Sequence, residues 1–204
     1  MAEVGVLLYD GVEVLDCCGP FEVFSTASRV ALRRGWPVPP FAVHTIAAAS
    51  ADVVARGGLH LVASCTLGEH PPLDILVVPG GLTETGEADH RLIDWLTETA
   101  ETTTVTASVC TGAFLLAAAG VLDGRRATSH WEDVDELERR FPSITVRRGV
   151  RWVDEGRVVT SAGISTGVDM SLHLVGRQEG PELAEATARQ MEYAWQGGPT
   201  AGLG

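Results

Sequence analysis

Apolar positions along this chain follow two alternating rhythms: short runs that are apolar at nearly every position, and longer stretches where apolar residues recur every three or four. The first suits strands of a parallel sheet buried on both faces, the second the inner stripe of a helix. Strands are predicted at residues 4–9, 41–46 and 73–78, and a hairpin joins residues 53–55 to 59–63 around Arg56-Gly-Gly. A helix is predicted from Phe21 to about Arg34, with Pro20 in its first turn, and another from Ala88 to Ala100 on a Leu92, Ile93, Trp95, Leu96 stripe. Further on, residues 132–141 read as an acidic amphipathic helix, and 144–146, 150–153 and 158–160 as short strands. Two more helices are predicted, from Gly167 to about Arg177 and from Pro181 to about Trp195.

The rhythm changes most sharply inside residues 104–120. A β-branched run, Thr104 to Val109, gives way to the Ala/Leu run that ends at Gly120, and Cys110 stands at the join. Ser108 and Gly112 flank it at two residues on either side, the small-x-nucleophile-x-Gly spacing that lets a strand turn tightly into a helix. A thiol there faces the first free N–H groups of a helix, which favour the thiolate and are expected to lower its pKa. The alternative is a structural cysteine buried in a core strand.

Strands alternating with helices in this order predict a flavodoxin-like, doubly wound and mostly parallel sheet with helices on both faces. One domain is expected over residues 1–196, with residues 197–204 a loose tail. Reactive groups in such sheets collect at the carboxyl ends of the strands, and Asp16, Gly80-Gly81, Cys110 and the loop 163–166 all fall there.

Composition narrows the function. The 204 residues carry a net charge of −12, which disfavours nucleic acid or an anionic membrane as partner. The opening Met-Ala-Glu-Val-Gly-Val has no basic n-region and reads as lacking a secretion signal, and no apolar run is long enough to span a bilayer. Cys17, Cys18, Cys65 and Cys110 match neither a zinc site nor a disulfide framework, so free thiols in a reducing cytoplasm are expected. The histidines show no metal-binding spacing, and neither a metal nor an organic cofactor is called for.

Asp16, in Leu-Asp-Cys-Cys-Gly-Pro, can meet the Cys110 thiol from the neighbouring strand end; desolvation would then raise its pKa and suit it to general acid work. It could instead cap the following helix. The backbone N–H groups of Gly81 and Thr111 are candidate donors to a developing negative charge, and the Thr111 hydroxyl could hold a water or the acid. His130, in Thr-Ser-His-Trp, is a possible base for Cys110, or a plain helix cap. Cys17 and Cys18 read as packing residues, with the alternative that one of them lines the pocket near Asp16.

Four stretches, Val6 to Pro20, Leu76 to Gly81, Ser108 to Gly120 and Ala127 to Trp131, make the chain resemble the ThiJ/PfpI superfamily over nearly its whole length. Cys110-Thr-Gly with the acidic Leu-Asp-x-x-Gly-Pro segment is most similar to isocyanide hydratases, and also to the sensor half of AraC-type regulators. The protease branch has His where this chain has Thr111, and the redox-protective branch has Glu where it has Asp16. The resemblance implies hydration of a small isocyanide substrate to an N-substituted formamide, with Cys110 as nucleophile, Asp16 as proton donor and then base, and a homodimeric assembly. Two other readings stay open: a different cysteine hydrolase or amidase relying on His130, and a non-enzymatic sensor domain.

Overall fold

A computed structural model describes residues 1–48 and 50–199. Strands β1 (Ala2–Leu8), β2 (Phe41–Ala47), β5 (Cys65–Thr66), β6 (Ile75–Val78), β7 (Val105–Val109), β10 (Trp152–Asp154) and β11 (Val158–Ser161) form one sheet in the order β10-β11-β7-β6-β1-β2-β5. Neighbours run parallel except β10 and β11, which pair antiparallel. Every residue of β6 and β7 is buried, as their unbroken apolar runs require when helices cover both faces of a parallel sheet. The antiparallel hairpin β3 (Asp52–Val54) and β4 (His60–Val62) stands apart, as does the small parallel pair β8 (Arg126–Ala127) and β9 (Thr145–Val146).

Helices α1 (Val14–Arg33), α6 (Thr166–Glu179) and α7 (Pro181–Gln190) pack on one another. A second group holds α2 (Glu84–Ala88), α3 (His90–Thr102) and α4 (Gly112–Ala118), while α5 (Val134–Arg140) packs by β9. The doubly wound α/β arrangement is the one the alternating pattern predicts. No helix among the described residues is long and apolar enough to cross a membrane.

Three boundaries differ from the sequence expectation. Helix α1 begins at Val14, so Pro20 lies inside it and not in its first turn. Its start is anchored tertiarily: the Glu13 N–H donates to the Gly80 carbonyl at 2.9 Å, and Pro20 merely fails to supply a donor to the Asp16 carbonyl. Asp16 therefore sits in the first helical turn. Residues 84–88 form the separate short helix α2, and Asp89 caps α3 by accepting from the Arg91 N–H at 3.1 Å. Helix α7 stops at Gln190 and not near Trp195, because the chain swings back so that the Tyr193 hydroxyl can donate to the buried Asp169 at 2.9 Å. Asp169 also pairs with Arg151, a largely buried cation, and the Arg151 N–H donates to the Pro199 carbonyl at 2.7 Å. Residues 200–204 of the expected tail lie outside the described residues.

Candidate active site

Strand β7 ends at Val109, α4 begins at Gly112, and Cys110 between them has φ 56°. Left-handed backbone is unusual for a residue with a Cβ and persists only where its surroundings impose it. Here the Cys110 N–H donates to the Ser161 carbonyl at 3.1 Å, and the Cys110 carbonyl accepts from the Ser129 hydroxyl at 3.0 Å. Gly112 makes the turn possible, since a Cβ there would collide with the Val78 carbonyl oxygen. The result is a nucleophile elbow, with the cysteine 7% exposed.

Asp16 is fully buried beside it. The Gly80 N–H donates to its Oδ2 at 3.2 Å, while Oδ1 has no hydrogen-bond partner among the described residues. The Cys110 thiol lies close enough that each group shifts the other's pKa. Burial pushes the Asp16 pKa up to about 7, against smaller downward pulls from the Cys110 hydrogen bond and the Gly80 N–H. Burial also pushes the Cys110 thiol well up, and the Asp16 charge adds to this; the Thr111 N–H pulls the other way. The expectation of a thiol acidified by the helix terminus is thus overturned. Desolvation and a neighbouring carboxylate outweigh the amides, so the resting pair is a protonated thiol facing an acid that titrates near neutrality.

The glycine pair after β6 divides its work. At Gly80 a Cβ would lie 2.7 Å from both the N and Oγ1 of Thr111 and 2.8 Å from Asp16 Oδ2, so only glycine lets the acid and the elbow close on each other. Gly81, expected to aim its N–H at the reacting group, instead donates to Thr111 Oγ1 at 2.9 Å, and that hydroxyl donates to the Gly81 carbonyl at 3.1 Å. Neither the Gly81 amide nor the Thr111 hydroxyl is free for the substrate; Thr111 keeps its backbone N–H turned to the sulfur. His130 approaches from the far side, its Cδ2 and the Cys110 sulfur both packed against Gly163. Its Nδ1 is 3.3 Å from Asp133 Oδ2 and 3.8 Å from Glu132 Oε2, which orients the ring toward the rim carboxylates.

Cys110 opens into a cavity of about 480 Å³ lined by Thr111, Phe114, His130, Ile164 and Arg140, among others. That volume suits a small organic molecule. The Arg140 guanidinium lies 5.3 Å from the Phe114 ring centre and 5.1 Å from that of Phe141, and pairs with Glu87, giving one wall a charged rim over an aromatic face. Tyr9 is buried behind the pair: its hydroxyl donates to the Pro79 carbonyl at 3.0 Å, and burial, with Asp16 and Cys110 nearby, raises its pKa so that it stays a neutral phenol.

Ser129, Tyr9 and Arg140 escaped the sequence reading. Ser129 stands next to His130 in a quoted motif, but its carbonyl partner is nineteen residues away and no spacing signals it. Cys17 is buried and Cys18 exposed, and neither lines the cavity.

A buried cysteine on an elbow at the carboxyl edge of a doubly wound sheet, with a buried acid beside it, defines an α/β protein built to present one thiol to a small cavity. The chain belongs to the DJ-1/PfpI family, whose description matches residues 2–177. It is 33% identical over 197 residues to an isonitrile hydratase of Pseudomonas putida, covering 94% of this chain and 78% of that protein. It is 28% identical over 190 residues to the HTH-type transcriptional regulator GbdR of Pseudomonas aeruginosa, covering 93% of this chain but 50% of the regulator. Among solved structures, a ThiJ/PfpI family protein from Pseudomonas syringae superposes with a TM-score of 0.83 at 28% identity, covering 96% of this chain and 76% of that one.

Proposed function

We propose that the protein is an isocyanide hydratase, a hydro-lyase that adds water to R–N≡C and releases R–NH–CHO. The observation that carries this reading is the buried Asp16 carboxyl placed against the Cys110–Thr111 turn at Gly80, where burial pushes the acid's pKa up to about 7 and the thiol's up as well. Isocyanide carbon is attacked by a nucleophile and protonated at the same atom, and an adjacent thiol and carboxyl supply both partners. As Cys110 sulfur bonds to the terminal carbon, its proton passes to the Asp16 carboxylate and from there to that carbon. The product is a thioimidate, R–N=CH–S–Cys110. Asp16, again a carboxylate, then takes a proton from water as the water oxygen adds to the same carbon. Asp16 passes that proton to the nitrogen, and the adduct R–NH–CH(OH)–S–Cys110 collapses: the C–S bond breaks, the hydroxyl proton passes by way of Asp16 to sulfur, and the formamide R–NH–CHO leaves. Covalent catalysis of this kind splits one hard hydration into two easier steps and asks for no cofactor.

The Thr111 N–H, turned to the sulfur, steadies negative charge there as the bond forms and breaks. His130 has its Nδ1 turned to Asp133, while its Cδ2 and the Cys110 sulfur border the same space beside Gly163. The hydrolase reading needs a ring nitrogen at the sulfur, whereas Nδ1 is engaged by Asp133 and the ring turns its Cδ2 to the Gly163 side. Likeness to half of a transcription regulator supports a second reading, in which the cavity senses a small ligand without turnover. We further propose a homodimer, from the family resemblance, and a reducing cytoplasm, from four free cysteines.

Incubation with an aryl isocyanide separates these readings. The hydratase reading expects formamide to accumulate catalytically with wild-type protein and not with Cys110→Ala. Binding without formamide favours the sensor, and equal turnover by Cys110→Ala ends the proposal.

A further inference from the structure

Cys17 and Cys18 lie side by side early in α1, outside the cavity and outside the chemistry just described, with their sulfurs 3.8 Å apart. The Cys17 thiol is buried and donates to the Val14 carbonyl at 3.2 Å, whereas Cys18 is exposed. Neighbouring residues are held about 3.8 Å apart at Cα by a trans peptide. That is shorter than the ~4.4–6.8 Å a disulfide normally spans. The helix therefore keeps the two sulfurs close while disfavouring the bond between them, so the pair persists as a dithiol. Its exposed member, Cys18, is the one a reagent in solution reaches first. Two converging soft donors with one open to solvent suit a thiophilic centre that forms two bonds at one atom.

We propose that Cys17 and Cys18 form a chelating site for trivalent arsenicals, R–As(OH)₂. The Cys18 sulfur bonds to arsenic first, and one As–O bond breaks as its hydroxyl leaves with the thiol proton as water. Cys17 then gives up its contact with Val14 and displaces the second hydroxyl, releasing a second water. Arsenic stays trivalent throughout, and no oxidant or reductant takes part. Closing the ring makes the second bond intramolecular, which strengthens retention over a single thiol by about a hundredfold or more. The inference is independent of the hydratase reading.

Phenylarsine oxide, hydrated in water to the arsonous acid, is the probe, added to the full-length protein and followed by intact mass after washing with excess monothiol. Wild type, Cys110→Ala and Cys65→Ser are expected to keep one arsenical per chain, released by 2,3-dimercaptopropanol. Cys18→Ser, an exposed position that leaves folding intact, should lose retention about a hundredfold. No adduct on wild type after the wash would overturn the proposal. So would undiminished retention by Cys18→Ser, or loss of the adduct in Cys110→Ala.

Discussion

The Cys110 thiol and the buried Asp16 carboxyl meet at the turn between β7 and α4, and their contact lowers the acid's pKa while raising the thiol's. Burial raises both. The pair therefore holds its proton on sulfur and keeps an acceptor beside it, the reverse of the free thiolate that a helix terminus alone would stabilise.

Replacing Asp16 should separate function from stability. Its pKa rises from 3.8 to about 7 on folding. The resulting penalty is absent below the unfolded value, grows through that interval, and is complete above pH 7, where it reaches about 4 kcal/mol. Asp16→Asn is thus expected to lower activity by about a hundredfold or more. The same variant should unfold several degrees higher than wild type at pH 8, with the gain shrinking toward pH 5. Thermal denaturation at the two pH values checks the sign.

The elbow's left-handed backbone predicts an unusual ranking of inactive variants. Cys110→Gly, relieved of the Cβ at φ 56°, should be more stable than Cys110→Ala by about 1–2 kcal/mol in chemical denaturation, although it buries less. A more stable alanine variant would argue that the turn is unstrained.

Gly80→Ala tests the closeness of acid and elbow. Its Cβ would press on Thr111 and Asp16, and the side chains must part by several tenths of an ångström. The expected result is a loss of about 1–3 kcal/mol of stability and a fall in kcat at an intact Cys110.

Most of the fold was legible in the sequence because apolar runs and turn residues are local signals: the strands 41–46 and 158–160 reappear within β2 and β11, and the switch at Cys110 falls where β7 meets α4. The convergence of Asp16, Cys110 and Thr111 with Gly80 was legible as a clustering at strand ends. What could not be read is which atom each group uses. Gly81 looked like a donor to substrate until the Thr111 hydroxyl was found to occupy its N–H. The thiol looked acidic because a helix start is visible in sequence, whereas its burial beside a carboxylate depends on packing between residues far apart in the chain. The start of α1 escaped for the same reason, being fixed by a bond from Glu13 to Gly80.

His130→Ala offers a contrast within the same cavity. Its ring faces Asp133 and packs beside Gly163, so the variant should keep kcat within about tenfold of wild type and change KM more than kcat. Loss comparable to Cys110→Ala would restore the histidine as a base.

The pH dependence of kcat/KM for isocyanide hydration tests the central claim most directly. Below about pH 7 Asp16 is protonated and cannot accept the thiol proton, so wild type should lose activity tenfold per pH unit on the acid side, with the limb centred near 7. Asp16→Asn should retain little activity and lack that limb. A flat profile through neutrality in wild type, or the same acid limb in Asp16→Asn, would contradict a mechanism in which this carboxyl carries the proton between sulfur and carbon.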